Sequence, residues 1–314
     1  MLMLKERINK LMCEVQQYIY SDIQVIENYK IKEATFKGGE EINLDLSDWG
    51  NFHTSEQWGG YDKDFWFRTE IKIPESLDGK AVVYEVKTGR EHAWDSINPQ
   101  FKIHINGKLI QGLDINHREV EITSCAKANE VFSITLHAHS GMDHMLSNLK
   151  TRICALVPEV DTLYYNLKVP MDVIELLKED DKARIDMLNV LNKAVTILDL
   201  RRPFSEEFIR SVNEANKFIE EEIFNSSLWH EGITAHCIGH THIDVAWRWT
   251  VAQTRHKVVR SFATALNLMK KYPEYIFFSS QPQLYQFIKE EEPELYEEIK
   301  EKVKEGRWEP EGGL

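Results

Sequence analysis

Two imidazoles and a carboxylate recur at a spacing of two near the C-terminal end of this 314-residue chain, at His240, His242 and Asp244. Neutral imidazole with carboxylate is a donor set for zinc, cobalt or manganese rather than for an ion that seeks thiolates. His242 and Asp244 make the best pair, and His240 is a candidate third donor. A catalytic metal site needs about three protein ligands and an open position, so the string alone leaves the site incomplete. Trp247 follows three residues after Asp244.

The elements around the string give it a place. The run from Ile233 to Ile238 is mostly apolar, as in a buried strand, and Gly239 then lets the backbone turn. A helix is expected from about Ala252 to Met269, then a strand over Tyr275–Ser280. Pro282 opens another helix, Pro293 restarts it, Gly306 stops it, and a third strand begins at Arg307. Strands alternating with helices predict a parallel sheet with right-handed crossovers. The loops after Ile238, Ser280 and Pro310 then share the C-terminal sheet edge, where such folds bind ligands. Glu309 and Glu311 sit near that edge and read as surface carboxylates. A Glu298–Lys302 pair at i,i+4 reads as part of a solvated helix face.

Upstream, the pattern divides into three. Leu4, Ile8, Leu11, Val15 and Ile19 recur at helical spacing, predicting one amphipathic helix to about Tyr29 (an N-terminal arm, 1–30). From 31 to 157 short alternating runs predict a β-sandwich of jelly-roll-like kind. They include Phe65–Ile73, Ala81–Val86, Val120–Thr123 and Val131–His137. Asn106-Gly107 between two such runs marks a type I′ hairpin. Trp49, Trp58, Trp66 and Trp94 are either exposed, and able to stack on sugars, or core. From 158 to 230 the period is again helical, with a stripe at Ile185, Leu188, Leu191, Val195 and Leu198. Ser205 is placed to cap the last helix, and this region reads as a helical connector. The remainder, 231–314, is the α/β segment.

The net charge of −13 argues against nucleic acid and anionic membrane as partners. No apolar run is long enough for a signal peptide core or a bilayer span. Cys13, Cys125, Cys154 and Cys237 lie far apart with no CxxC, which predicts free thiols in a reducing cytoplasm.

Three blocks together carry a resemblance. Gly239-His240-Thr-His242-Ile-Asp244-Val-Ala-Trp247, Ser279-Ser-Gln281-Pro-Gln283-Leu-Tyr285 and Gly306-Arg-Trp308-Glu-Pro-Glu-Gly312-Gly313 resemble, in order and spacing, the α-mannosidases of glycoside hydrolase family 38. The likeness is to their cytosolic, bacterial and vacuolar branch, whose N-terminal domains resemble the upstream regions. It implies a multidomain chain: sandwich, helical connector, then the start of a βα barrel-like catalytic domain. It implies metal-dependent, configuration-retaining hydrolysis of terminal α-linked mannose from oligosaccharides. His242 and Asp244 would be metal ligands, His240 a supporting residue, and Trp247 a neighbour of the sugar at the cleaved bond. The cofactor would be zinc, or cobalt or another divalent ion, and a homo-oligomer is the family expectation. Family chains are several times longer, and their nucleophilic aspartate corresponds to a position beyond Leu314. The 314 residues are therefore expected to be an N-terminal fragment with little turnover. Two rivals remain. A metal-dependent amidohydrolase would use both His240 and His242 as ligands, but it has no reason to carry the Gln281 and Trp308 blocks. A non-catalytic carbohydrate-binding protein would work through the sandwich tryptophans.

Overall fold

The structure, a computed structural model, describes residues 2–34, 46–94, 98–226 and 234–311. Ile233, Gly312 and Gly313, on which parts of the sequence reading fall, lie outside them. The chain folds as two units. Residues 1–23 with 154–235 form one, and residues 24–153 with 236–314 form the other.

The first unit is helical. Helices α1 (Leu2–Gln17), α2 (Pro158–Leu176), α3 (Lys182–Ile197) and α4 (Glu206–Ile219) bury Ile8, Val15, Leu163, Leu191 and Phe208 in one core. Asp181 caps α3 by accepting from the Ala183 N–H at 2.8 Å. Ser205 caps α4, as its position predicts, with its Oγ accepting from the Phe208 N–H at 3.2 Å. The predicted helix to Tyr29 is corrected: α1 ends at Gln17, and strand β1 (Tyr20–Ile26) follows. Tyr20, Ile23, Val25 and Ile26 are β-branched or aromatic, and only the residues up to Ile19 continue the buried helical stripe.

The second unit begins with a sandwich. Strands β2 (Asn28–Glu33), β3 (Gly50–His53), β5 (Asp64–Lys72), β7 (Gln100–Ile105), β8 (Lys108–Leu113) and β10 (Val131–His139) form a six-stranded sheet in the order β3-β2-β5-β10-β7-β8. β10 lies antiparallel to both neighbours, with Leu136 opposite Phe67 and Ile103. Asn106 and Gly107 turn from β7 to β8 with φ of 51° and 82°, the positive pair that a type I′ turn requires. A second sheet sets β12 (Lys150–Leu156) and β9 (Glu119–Thr123) on either side of β6 (Val82–Lys87). β4 (Trp58–Gly59) pairs with β11 (Leu146–Ser147). The two larger sheets meet through side chains: the Tyr29 hydroxyl bonds that of Tyr84 at 2.8 Å and Thr151 Oγ1 at 2.7 Å. Trp58 packs edge-on against Phe65 and Phe67, with centroids 5.4 and 5.2 Å away. Trp49, Trp58 and Trp66 are core residues at 6% exposure or less, so only Trp94, at 54%, fits the picture of an exposed sugar-stacking ring.

The α/β segment completes this unit. β13 (Gly239–His240), β14 (Phe277–Phe278) and β15 (Trp308–Glu309) run parallel in that order. Helix α5 (Val251–Lys271) joins the first two, and α6 (Pro282–Glu291) and α7 (Pro293–Lys304) join the last two. The element order follows the sequence reading, but the strands are shorter. Residues 234–238 form no strand and Ile238 is exposed, so the run is apolar without being buried. Gly239 is extended sheet rather than a turn. Its missing side chain makes room for Tyr275, whose hydroxyl would lie 2.1 Å from an added Cβ. Glu298 pairs with Lys270 and Lys302 with Glu305, not with each other. Among the described residues no helix is long and apolar enough to cross a membrane.

Helix α5 lies against β7 and β8. The Gly112 N–H donates to Thr264 Oγ1 at 3.1 Å, and Asn267 donates to the Gln111 side chain at 2.6 Å. A Cβ at Gly112 would stand 2.7 Å from the Arg260 Cβ, so glycine is needed for this approach.

Candidate functional site

The three resembling blocks converge on the short parallel sheet. Phe262, Phe277 and Trp308 pack beneath it, with Trp308 centroids 5.0 Å from Phe262 and 4.6 Å from Phe277. The Trp308 indole N–H donates to the Tyr285 hydroxyl at 2.9 Å, and that hydroxyl donates to the Ser279 carbonyl at 2.7 Å. Arg307 gathers the carbonyls of Met269, Tyr272 and Tyr275 at 2.9, 2.8 and 3.2 Å. Residues that look like motif chemistry in the second and third blocks are thus, in this chain, the fasteners of the sheet.

His240 ends β13. Its Nδ1–H donates to the Phe278 carbonyl at 3.0 Å, because a carbonyl can only accept, and this fixes the ring on the neighbouring strand. Ile243 is buried and turns His242 and Asp244 outward. His242 Nε2 lies 3.2 Å from Asp244 Oδ1, with the two side chains 70% and 45% exposed. Two donors on bonds of about 2.0–2.1 Å in a tetrahedron stand about 3.4 Å apart, so the pair fits one small divalent ion. His240 does not join them as a donor pair among the described contacts.

Trp247 is half-exposed and meets Trp249 and Trp94 edge-on, with centroids 5.7 and 6.1 Å away. The Arg248 guanidinium lies over Trp94 and Trp247 at 4.6 and 5.0 Å. Trp249 is anchored to the first turn of α5 through Thr254 Oγ1 at 3.1 Å, and Thr250 caps that helix by accepting from the Gln253 N–H. Behind the pair opens a cavity of about 340 Å³ lined by His240, His242, Trp249, Lys257, Arg260 and Asp114. Burial works against the Asp114 charge, but the His117 ring and the backbone N–H groups of His117 and Asn116 hold it below the ordinary carboxylate range. Burial lowers Arg260 to about 10. Glu309 and Glu311 are exposed, as surface carboxylates would be.

One cluster escaped the sequence reading. Asp64, His137 and His256 bring one donor atom each within 4.8 Å of one another between the six-stranded sheet and α5. The available signal was His137-Ala-His139, an His-x-His whose two rings share one face of a strand.

Residues 232–314 match the family described as glycosyl hydrolases family 38 N-terminal domain. Human α-mannosidase 2C1 is 30% identical over 246 residues, which cover 71% of this chain and 22% of that protein. The mouse protein of the same name is 28% identical over 270 residues, covering 79% and 24%. α-Mannosidase G of Dictyostelium discoideum is 26% identical over 312 residues, covering 93% and 27%. The chain thus spans about a quarter of the length of these relatives. Residues 232–314 carry the match to the family 38 N-terminal domain, within a likeness to α-mannosidases that runs along most of the chain.

Proposed function

We propose that this chain supplies the metal- and sugar-gripping part of an α-mannosidase that removes terminal α-linked mannose from oligosaccharides with retention of configuration. The observation that carries it is the outward His242–Asp244 pair, 3.2 Å apart at the C-terminal edge of a parallel sheet inside the family 38 segment. A divalent ion, zinc foremost, held by these two residues and by donors beyond this chain would polarise and orient two hydroxyls of the sugar. Mannose suits such a grip because its axial O2 is cis to O3, whereas gluco sugars present a trans pair. Around that point this chain's residues orient and exclude water. His240, tied to Phe278, fixes the base of the loop. Trp247 offers an apolar face for the sugar ring. Arg248 and Trp94 narrow the approach.

A retaining glycosidase also needs two carboxyl groups about 5–5.5 Å apart. Neither Glu309 nor Glu311 is assigned that role, and the 314-residue chain alone is expected to bind metal weakly and turn over little. Two assays on this chain and on variants test the reading: titration with zinc or cobalt, and hydrolysis of a chromogenic α-mannoside. His242→Ala and Asp244→Ala should each weaken metal binding at this site, with His240→Ala weakening it less. Loss of binding on His240→Ala but not on Asp244→Ala would favour an amidohydrolase-type site instead. Hydrolysis at a rate near that of an intact α-mannosidase would refute the division of labour proposed for this chain.

A further inference from the structure

We propose that Asp64, His137 and His256 form a second divalent-metal site, separate from His242 and Asp244, which clamps helix α5 to the sandwich. The three residues come from different elements: Asp64 from the start of β5, His137 from β10 and His256 from α5. Asp64 is 9% exposed, His137 3% and His256 5%. His137 Nε2 stands 3.3 Å from Asp64 Oδ1, close to the donor–donor edge of about 3.4 Å for a tetrahedral zinc ion. The third donor atom lies within 4.8 Å of both. The ring planes are already held. His137 stacks on Trp66 with centroids 4.4 Å apart and 13° between planes, and His256 meets it edge-on at 5.0 Å. Two nitrogens and one oxygen select a borderline ion such as zinc, cobalt or nickel over calcium or magnesium.

The surroundings argue both ways, and their balance sets the ion. Burial, then the charges of Lys102 and Arg260, hold both imidazoles well below their ordinary proton affinity, so each offers a lone pair at neutral pH. The same two cations repel a divalent ion. Lys102 is partly offset by Glu292 at 4.0 Å, and Arg260 is engaged with Gln100. Coordinate bonds from nitrogen, rather than net field, must then carry the affinity, which again favours zinc-type ions. An ion here would join β5, β10 and α5 at one point, and α5 begins directly after the Trp247–Trp249 segment. The inference does not depend on the proposed hydrolytic function.

The test uses the 314-residue chain carrying His242→Ala and Asp244→Ala together, both exposed positions, so the first site is removed without touching the core. After chelator treatment this variant is titrated with zinc, counted by elemental analysis after gel filtration, and with cobalt, read by visible absorption. The expected result is one equivalent retained, tetrahedral-type cobalt bands, and a thermal midpoint that rises with zinc. Adding His256→Asn or His137→Gln should weaken that binding by more than about 100-fold, beyond the 10–100-fold typical of outer-shell partners. If these triple variants do not fold, hyperfine-shifted imidazole N–H proton signals in the cobalt-loaded double variant decide. A double variant that retains no zinc, or folded triple variants that bind as tightly as it does, or a cobalt-loaded double variant without such signals, overturns the proposal and leaves the cluster a buried polar network.

Discussion

Replacing Gly239 with alanine probes the join between the sheet and its site. An added Cβ would lie 2.1 Å from the Tyr275 hydroxyl oxygen, 2.5 Å from Cζ and 2.8 Å from Cε2. All three distances are below any real Cβ contact, so either the tyrosine or β13 must move. Overpacking of this kind costs about 1–3 kcal/mol. Three short distances, not one, mean that Tyr275→Phe removes only the first clash and should not rescue. Tyr275→Ala removes all three. On its own it should cost a few kcal/mol at most, about the 2–5 range of large-to-small changes tempered by partial exposure. The double variant should therefore be less destabilised than the sum of the singles, with a coupling of about 1–3 kcal/mol. Urea unfolding followed by tryptophan fluorescence measures each corner of the cycle. If Gly239→Ala unfolds within about 0.5 kcal/mol of the parent, or if its cost survives unchanged beside Tyr275→Ala, the packing of Tyr275 on β13 is refuted.

Other substitutions and conditions give sharper local readings. Trp308→Ala should destabilise by about 3–5 kcal/mol, since it empties the centre of the aromatic packing and leaves the Tyr285 hydroxyl without its donor; thermal unfolding against Trp308→Phe separates the two effects. Ser205→Ala should cost about 1 kcal/mol through the lost α4 cap, and Ser205→Asp should recover most of it. Acid should destabilise the chelator-treated chain through its buried histidines. Burial lowers His104 to about 3, and it lowers His137 and His256 as well. The unfolded chain takes up these protons from about pH 6.5 downward while the folded chain refuses them. Each histidine should therefore remove about 1 kcal/mol between pH 7 and 5.5, stability that is fully present above that range. Burial raises Asp64 above its ordinary value, which offsets part of the loss at lower pH. Urea midpoints across this range check the slope, and a flat profile would refute the neutral assignment.

The helices, the hairpin and the βα alternation were readable because each rests on local chemistry. Ser205 caps what a cap residue should cap, Asn106-Gly107 takes the two positive φ values, and Pro282 and Pro293 open their helices. What failed depended on partners far away in sequence. The 234–238 run looks like a strand by composition, yet strands exist only where a neighbour pairs, and pairing begins at Gly239. The sandwich tryptophans could be read as sugar-stacking or core, and only the fold decides that three are buried, with Trp66 on the face that α5 covers. Gly239 read as a turn glycine, and it is instead a contact glycine that makes room for Tyr275, as Gly112 does for Arg260. In the site, the spacing of His242 and Asp244 was visible in the sequence. The pairing of Trp247 with Trp94, about 150 residues earlier, was not.

The seat of α5 on β7 and β8 has a consequence for how the chain is made. The six-stranded sheet is complete only at His139, and α5 only at Lys271. At synthesis rates of about 5–20 residues per second the sheet face waits roughly 7–26 s for the helix that covers it. During that wait Lys102, Asp64 and His137 are not yet buried by α5, so the uncovered face carries polar groups rather than an unbroken apolar surface. A neutral, more apolar version of that face would make a stronger final interface and a stickier newborn chain.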